Sequence, residues 1–249
     1  IVFCGVSFMG ESAKLLNPEK TVLLPDPSAD CPMAHMADPE TIQALRQQWD
    51  DLAVVCYINS TAALKACADV CVTSSNAVDI VRALPQHNIL FLPDRNLARF
   101  VADQVPEKHI ILPSGCCPTH DRMQAEQVRD LQRQHPGALV LAHPECPPAV
   151  TALADYVGST AGILSFAAKS DGTEFIICTE HGIRHPLAVE NPNKRFYFPA
   201  TTPICPDMKR ITLEQIRDVL KNGGQPVEVD GTLSQTAKKP LDEMLRLAK

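Results

Sequence analysis

Three cysteines stand at the same point of a phrase that the chain writes three times: a short apolar run, a proline, a few small or polar residues, then Cys-Pro. The phrase reads VLLPDPSADCP up to Cys31-Pro32, IILPSGCCP up to Cys117-Pro118 and FYFPATTPICP up to Cys205-Pro206. Cys31, Cys117 and Cys205 lie 86 and then 88 residues apart. Each run is introduced by a similar tripeptide, Pro18-Glu19-Lys20, Pro106-Glu107-Lys108 and Pro192-Asn193-Lys194, at steps of 88 and then 86. A period held at two landmarks is an internal repeat, and it governs any fold assignment. Three similar units giving one thiolate each suit a [4Fe–4S] cluster with one open iron, because the cube takes four ligands and three are offered. Zinc on three cysteines and a histidine, His120 or His143, is the rival chemistry. Structural cysteines without a metal are the plainer alternative. Cys116 adjoins a proposed ligand and Cys146 also precedes a proline, but neither recurs in the other copies, so both rank below the three.

A second set of residues follows from where ligands collect in alternating α/β units. They bind at the carboxyl ends of parallel strands, where helix N-termini also present unpaired N–H groups. That rule picks out Tyr57 and Asn59, Ser74 and Ser75, His143 and Glu145, and Ser159 and Thr160. His143-Pro144-Glu145 sets an imidazole and a carboxylate two residues apart, a usable acid–base and substrate-orienting pair. A histidine at a strand end is often no more than a hydrogen-bonded structural residue. Tyr57 and Asn59, 86 residues before His143 and Glu145, lift the pair above that reading. Thr73-Ser74-Ser75-Asn76 and Gly158-Ser159-Thr160 join hydroxyls to helix-opening N–H groups, which suits carboxylate or phosphate oxygens. Simple N-capping is the bland reading of either loop. Two such loops at one repeat phase favour an anionic small molecule.

The elements that must position these residues alternate along the chain. Strands are expected at 1–8, Thr21–Leu24, Ala53–Ile58, Val70–Thr73, Ile89–Leu92, Ile110–Leu112, Ala138–Ala142, Tyr156–Val157, Phe175–Cys178, Phe196–Phe198 and Val227–Val229. Helices are expected at Gly10–Leu16, Thr41–Trp49, Thr61–Ala68, Ala77–Ala83, Asn96–Asp103, Ala125–Gln134, Ala149–Ala154, after Gly158-Ser159-Thr160, Leu213–Leu220 and Leu241–Leu247. Such alternation implies parallel sheets in α/β units. The expected architecture is three similar three-layer α/β domains around a pseudo-threefold axis, which would gather the strand ends in one pocket. Residues 1–33 with 206–249 form the first domain, 34–118 the second and 119–205 the third. Met9 to Cys31 spans 22 residues, against 23 from Asp94 to Cys117 and 25 from Glu180 to Cys205, so copy one matches only the second half of a copy. A complete first copy would place about 55 residues before Ile1. The tail after Cys205 is expected to pack against copy one and close the ring.

Composition narrows the function. A net charge of −6 argues against nucleic acid as the main partner, since phosphate binding needs a basic face. No apolar run reaches membrane-span length and no basic leader precedes one, which favours the cytoplasm. Ten cysteines is many for a cytosolic chain, yet Cys4, Cys56 and Cys178 sit inside apolar runs and read as buried small hydrophobes. LDEMLRLAK and Lys209-Arg210 read as solvated helix faces and take no function.

The stretches FMGESAKLLNPEK, DCPMAHM, YINSTAALKACADVCVTSSNAV, FLPDRNLARFV, CCPTH, HPECPPAV, ADYVGSTAGI and ICPDMK, in that order, closely resemble the A-type quinolinate synthases. The resemblance covers essentially the whole chain. It implies three α/β domains and a [4Fe–4S] cluster on Cys31, Cys117 and Cys205, with the fourth iron open to substrate as a Lewis acid. The implied reaction condenses iminoaspartate with dihydroxyacetone phosphate, releasing phosphate and water, to give quinolinate for NAD biosynthesis. A functional link to an iminoaspartate-producing oxidase follows. Tyr57 and Asn59 would contact substrate and assist proton transfer. His143 and Glu145 would be the matching pair, with Glu145 a candidate general base, and Ser74, Ser159 and Thr160 would hold carboxylate or phosphate groups. The family's N-terminal His-x-Tyr motif and a first-domain serine have no match here, so this exact stretch is expected to carry an incomplete active site. The reading from another class is a non-catalytic iron–sulfur or zinc-binding sensor. A periplasmic-type binding protein would need a leader and a hinge that the sequence does not show.

Overall fold

The apolar runs LAVVCY and LVLA become the central strands of two separate parallel sheets, as expected of strands covered on both faces. The computed structural model describes residues 1–200 and 202–248; Thr201 of the third Cys-Pro phrase and Lys249 of LDEMLRLAK lie outside them. It divides into two units, Ile1–Gly115 with Pro206–Lys249, and Cys116–Cys205.

The first unit runs α1 (Ser7–Leu16), α2 (Pro39–Gln48), β1 (Leu52–Tyr57), α3 (Ala62–Lys65), β2 (Val70–Val72), α4 (Ala77–Ala83), β3 (Asn88–Leu92), α5 (Arg95–Gln104) and β4 (His109–Ile111). Its sheet has the order β2-β1-β3-β4, all parallel. The second unit runs α6 (Ala125–Gln134), β5 (Leu139–Ala142), α7 (Pro148–Thr151), β6 (Tyr156–Val157), α8 (Thr160–Lys169), β7 (Glu174–Cys178), α9 (Arg184–Glu190) and β8 (Arg195–Tyr197). Its sheet, β6-β5-β7-β8, repeats the first. The chain then returns to the first unit with α10 (Leu213–Asn222) and α11 (Gly231–Leu247). Alternate residues of the second sheet supply two cores. Val140, Ala142, Ile176 and Cys178 pack with Val128 of α6 and Val150 of α7. Leu141, Phe175 and Ile177 pack with Ile163 and Ala167 of α8 and Leu187 of α9. The second unit is therefore a three-layer α/β sandwich.

The repeat is visible in hydrogen bonds. The Asp69 carboxylate accepts the Val54 N–H at 2.7 Å, and 86 residues on the Asp155 carboxylate accepts the Val140 N–H at 2.7 Å. Helices α1, α5 and α9 end on Asn17, Val105 and Asn191 with φ/ψ of −133/65, −132/62 and −132/64. Lys20, Lys108 and Lys194 of the repeated tripeptide then each donate a backbone N–H to those same three residues at 3.0 Å. Val2 bridges Leu23 in parallel as Leu90 pairs with Ile111 and Ile176 with Tyr197. Residues 1–31 therefore share these backbone bonds with the second halves of the other two copies.

Several expected elements differ. The strands at 1–8 and Thr21–Leu24 shrink to the single bridge between Val2 and Leu23. The chain must turn into α1 at Ser7, and Leu23's other neighbour is Pro226, which has no N–H to extend a ladder. The strand expected at Val227–Val229 is likewise one antiparallel bridge at Pro226. Helix α9 lies where no helix is expected from the sequence. Helix α11 starts at Gly231, ten residues before the expected Leu241, because the Asp230 carboxylate caps it through the Thr232 and Leu233 N–H groups and Pro240 is carried inside. LDEMLRLAK is not wholly solvated: Leu241 and Met244, with Ala237 and Pro240, form a buried stripe. That stripe packs mainly on α3 and β2, elements of copy two, and less on α1 of copy one. Among the described residues, no helix is long and apolar enough to cross a membrane.

Candidate functional site

Each repeat cysteine follows a loop tied to a helix start. The N–H of Ser7, Arg95 and His181 donates to the carbonyl of Ala29, Gly115 and Pro203 at 2.8, 2.8 and 3.1 Å. Those carbonyls lie two residues before Cys31, Cys117 and Cys205 respectively. The second loop is two residues shorter than the other two and all three differ in sequence, yet the anchor keeps the cysteine at one phase. All three are half-buried, and no disulfide occurs among the described residues. Cys205 is further fixed by its N–H, which donates to the Glu180 carboxylate at 3.1 Å.

Around Cys117 the second unit assembles a buried polar group. His120 sits on the turn after the Cys-Pro, Glu145 and His143 on the loop after β5, and Thr179 just beyond β7. His120 Nδ1 lies 3.2 Å from Cys117 Sγ and 2.8 Å from Glu145 Oε2, while its Nε2 meets Thr179 Oγ1 at 2.9 Å. A carboxylate only accepts, so in the neutral ring Nδ1 carries the proton and Nε2 accepts from the threonine hydroxyl. The His143 ring stacks on that of His120 with centroids 4.9 Å apart. His143 Nδ1 accepts the Glu145 N–H at 3.2 Å, leaving Nε2 protonated. The side chains of His120, His143 and Glu145 are at most 10% exposed.

Burial sets the proton chemistry here. It holds His143 down at about 4, against a partial pull upward by the Glu145 carboxylate. The Cys117 thiol is pushed well up, first by burial and then by Glu145. Such a thiol keeps its proton unless a cation stands beside it, which is what a metal centre supplies. Cys117, His120 and Glu145 offer ligand atoms all within 4.8 Å of one another. In the sequence His120 stands only as one of two histidines, with His143, for a zinc alternative; its bonds to Glu145 and Thr179 join residues 25 and 59 positions away and have no local signature.

In the first unit, Tyr57 ends β1 buried, and Asn59 lies half-buried in the following loop. Ser74 is half-buried and Ser75 exposed before α4, with Ser75 Oγ 2.8 Å from Thr73 Oγ1. Ser159 caps α8 by accepting the Gly162 N–H at 3.1 Å, so its hydroxyl has the plain capping role at least, and Thr160 is exposed. Cys117, His120, His143 and Glu145 are thus one group, while Cys31, Tyr57, Asn59 and Ser74 belong to the other unit. Cys56 and Cys178 are buried as expected, and burial pushes Cys178 up to about 12. Cys4 is exposed, against expectation, because Val2 forms only a bridge and no strand covers it.

The family model described as quinolinate synthetase A protein matches residues 1–246. A quinolinate synthase of Fusobacterium nucleatum is 52% identical over 248 residues, covering all of this chain and 83% of that protein. Quinolinate synthases of Caldicellulosiruptor bescii and Clostridioides difficile are 51% and 48% identical over 99% and 100% of this chain, and 82% of each relative. The chain belongs to the quinolinate synthetase A family.

Proposed function

We propose that this member of the quinolinate synthetase A family condenses iminoaspartate with dihydroxyacetone phosphate to give quinolinate, phosphate and water. In this reading it is a cytoplasmic enzyme of NAD biosynthesis made of three domains, 1–33 with 206–249, 34–118 and 119–205, and an oxidase supplies its iminoaspartate. The observation that carries the reading is the buried Glu145–His120 pair, 2.8 Å apart, beside Cys117. A carboxylate kept from water, oriented by an imidazole and next to a metal-ligating thiol type, is acid–base machinery rather than a packing device.

The donor set suits a cluster. Cys31, Cys117 and Cys205 are three half-buried thiols tied at one repeat phase, and thiolates are the ligands an iron–sulfur cube takes. These three would hold a [4Fe–4S] cluster. When bound, it supplies a Lewis acid at the iron that lacks a protein ligand. The chain's own residues do the rest. Glu145 takes a proton from substrate, held by the His120 Nδ1–H. His143 donates from Nε2 or orients a substrate oxygen. Tyr57 and Asn59 orient the partner substrate and assist proton transfer. Ser74, Ser159 and Thr160 hold carboxylate and phosphate oxygens, helped by the opening N–H groups of α8. Exclusion of water protects an imine that would otherwise hydrolyse.

Glu145→Gln tests this in cluster-loaded protein. Quinolinate formation should fall about 100-fold or more at unchanged iron content, the size of general acid–base effects. Wild-type turnover by that variant would refute the role. One observation favours a second reading: Cys117, His120 and Glu145 are also a zinc-type ligand set, which suits a non-catalytic sensor. Iron, sulfide and zinc analysis of anaerobically purified protein separates the two, since zinc without iron would remove the cluster reading.

A further inference from the structure

The first unit buries a charge for which the chemistry above has no use. Lys65 ends the short helix α3 and is fully buried. An ammonium taken from water is costly unless partners compensate it. Its Nζ donates to the main-chain carbonyl of Ser60 and lies 5.4 Å from the centroid of the Phe8 ring. Burial pulls its charged form down, a pull that the neighbouring Cys56, Cys71 and Glu11 oppose only in part. Glu11 reaches across from α1 and accepts the Ala62 N–H at 2.8 Å.

These contacts converge on one loop. Ser60, itself fully buried, donates Oγ to the Tyr57 carbonyl and its N–H to the Ile58 carbonyl, both at 2.8 Å. The Ile58 N–H donates to the Val72 carbonyl at 2.8 Å, and Thr61 caps α3 through the Leu64 N–H at 3.2 Å. The loop from Tyr57 to Thr61 is thus fixed at its start, its middle and its end, with Asn59 at its centre.

The internal repeat says whether the fold itself demands this. Eighty-six residues on, the same strand, loop and short helix have Cys146 in place of Ser60 and Thr151 in place of Lys65. The backbone forms there without a buried cation. The cost of burying Lys65 is therefore not a requirement of the turn.

We infer that Lys65, with Ser60 and Glu11, is a positioning residue for the reaction, fixing the backbone that aims Tyr57 and Asn59 at substrate. This rests on the reading of Tyr57 and Asn59 proposed above. Misplacing a reacting group by about 1 Å can cost about 100-fold in rate, so a carbonyl clamp remote from substrate has a measurable kinetic signature.

The test compares Lys65→Met, which keeps chain length and removes charge, with Ser60→Ala, Tyr57→Phe and Asn59→Ala in cluster-loaded protein. Lys65→Met should lower kcat/KM about 10- to 100-fold at unchanged iron content, and Ser60→Ala about fivefold, the worth of one hydrogen bond. Amide exchange should rise at Asn59 and Ser60 and stay unchanged in the loop His143–Pro147. Lys65→Met combined with Asn59→Ala should lose no more than the larger single effect. If Lys65→Met fails to fold, Ser60→Ala decides by the same two readouts. Variants that unfold at lower temperature but keep wild-type kcat/KM per iron would overturn the inference and leave Lys65 a structural residue. Full activity in both Tyr57→Phe and Asn59→Ala would instead remove the reading of that pair, and the inference with it.

Discussion

The loop after β1 and the loop after β5 sit at the same phase of the repeat, yet different chemistry holds each one. Tyr57 to Thr61 is clamped by a buried ammonium, a serine hydroxyl and a carboxylate. His143 to Pro147 is clamped by imidazoles and a thiol: Cys146 Sγ donates to the Cys178 carbonyl at 3.2 Å, and His120 holds Glu145. Around both loops the backbone scaffold is the same, down to the aspartate that opens each ladder and the lysine that closes each turn. Lys108 Nζ donates to the carbonyls of Leu84 and Gln86, and Lys194 Nζ to those of Ala167 and Ser170. The repeat thus constrains main-chain bonding, and leaves the side chains at the strand ends open to specialise.

The sharpest way to break the comparison is through the cysteines. If the proposed cluster sits on the three repeat cysteines, Cys31→Ser, Cys117→Ser and Cys205→Ser should each abolish it, because each removes a thiolate from a set of three. Cys146→Ser should retain full iron and sulfide, since that thiol holds the Cys178 carbonyl and lies 3.9 Å from Met123 Sδ. Anaerobic iron and sulfide analysis checks all four. Loss of the cluster in Cys146→Ser would mean that the loop after β5 belongs to the metal site, and the contrast between cysteines that bind metal and cysteines that hold the fold would fail.

Acid should separate the two loops next. Burial holds His143 at about 4 against an ordinary 6.5, so the unfolded chain takes up that proton first as pH falls. Stability is then full above pH 6.5, falls on the way down to about 4, and levels off below it. The slope is at most about 1.4 kcal/mol per pH unit, or of order 3 kcal/mol in all. The residues Tyr57 to Thr61 include no imidazole and no group that titrates there. Urea unfolding of the metal-free protein between pH 7 and 4 should show the fall, and His143→Gln should flatten it. An equally steep fall in the variant would assign it to other groups.

The sequence was readable where the bonding is local and repeated. Ala125–Gln134 and Tyr156–Val157 fall where periodicity set them, and the 86-residue period shows because the carboxylates of Asp69 and Asp155, or the backbone N–H groups of Lys108 and Lys194, serve matching main-chain duties. It was unreadable where the partner is remote. Leu23 meets Pro226 across the whole chain, so no local pattern could say that the strand would stop at one bridge. Pro240 hid the first half of α11, although the Asp230 cap was in plain view. In the site, the His143 and Glu145 spacing pointed to acid–base chemistry, whereas His120's link to Glu145 exists only in three dimensions. Lys65 was the hardest case, because a lysine in ALKA looks like any solvated helix residue until the loop folds over it.

The smallest effect probes the shared scaffold. In both sheets the outer strand, β2 or β6, pairs only from the residue after Val54 or Val140: β1 meets β2 from Val55 onward, and β5 meets β6 from Leu141 onward. The N–H of Val54 and of Val140 would be left without a strand partner, and Asp69 and Asp155, each just before its outer strand, accept them at 2.7 Å. An unsatisfied buried N–H costs about 1–3 kcal/mol, so Asp69→Ala and Asp155→Ala should each destabilise by about 1–2 kcal/mol in urea unfolding. Asp69 also meets Arg46 at 2.9 Å, but that pair is more than a third exposed on both sides and adds about 1 kcal/mol at most. Arg46→Ala should therefore remove little, and Asp69→Ala should exceed Asp155→Ala by no more than that margin. A larger gap between the two alanine variants, or no loss in Asp155→Ala, would show that the two ladders do not begin by the same device.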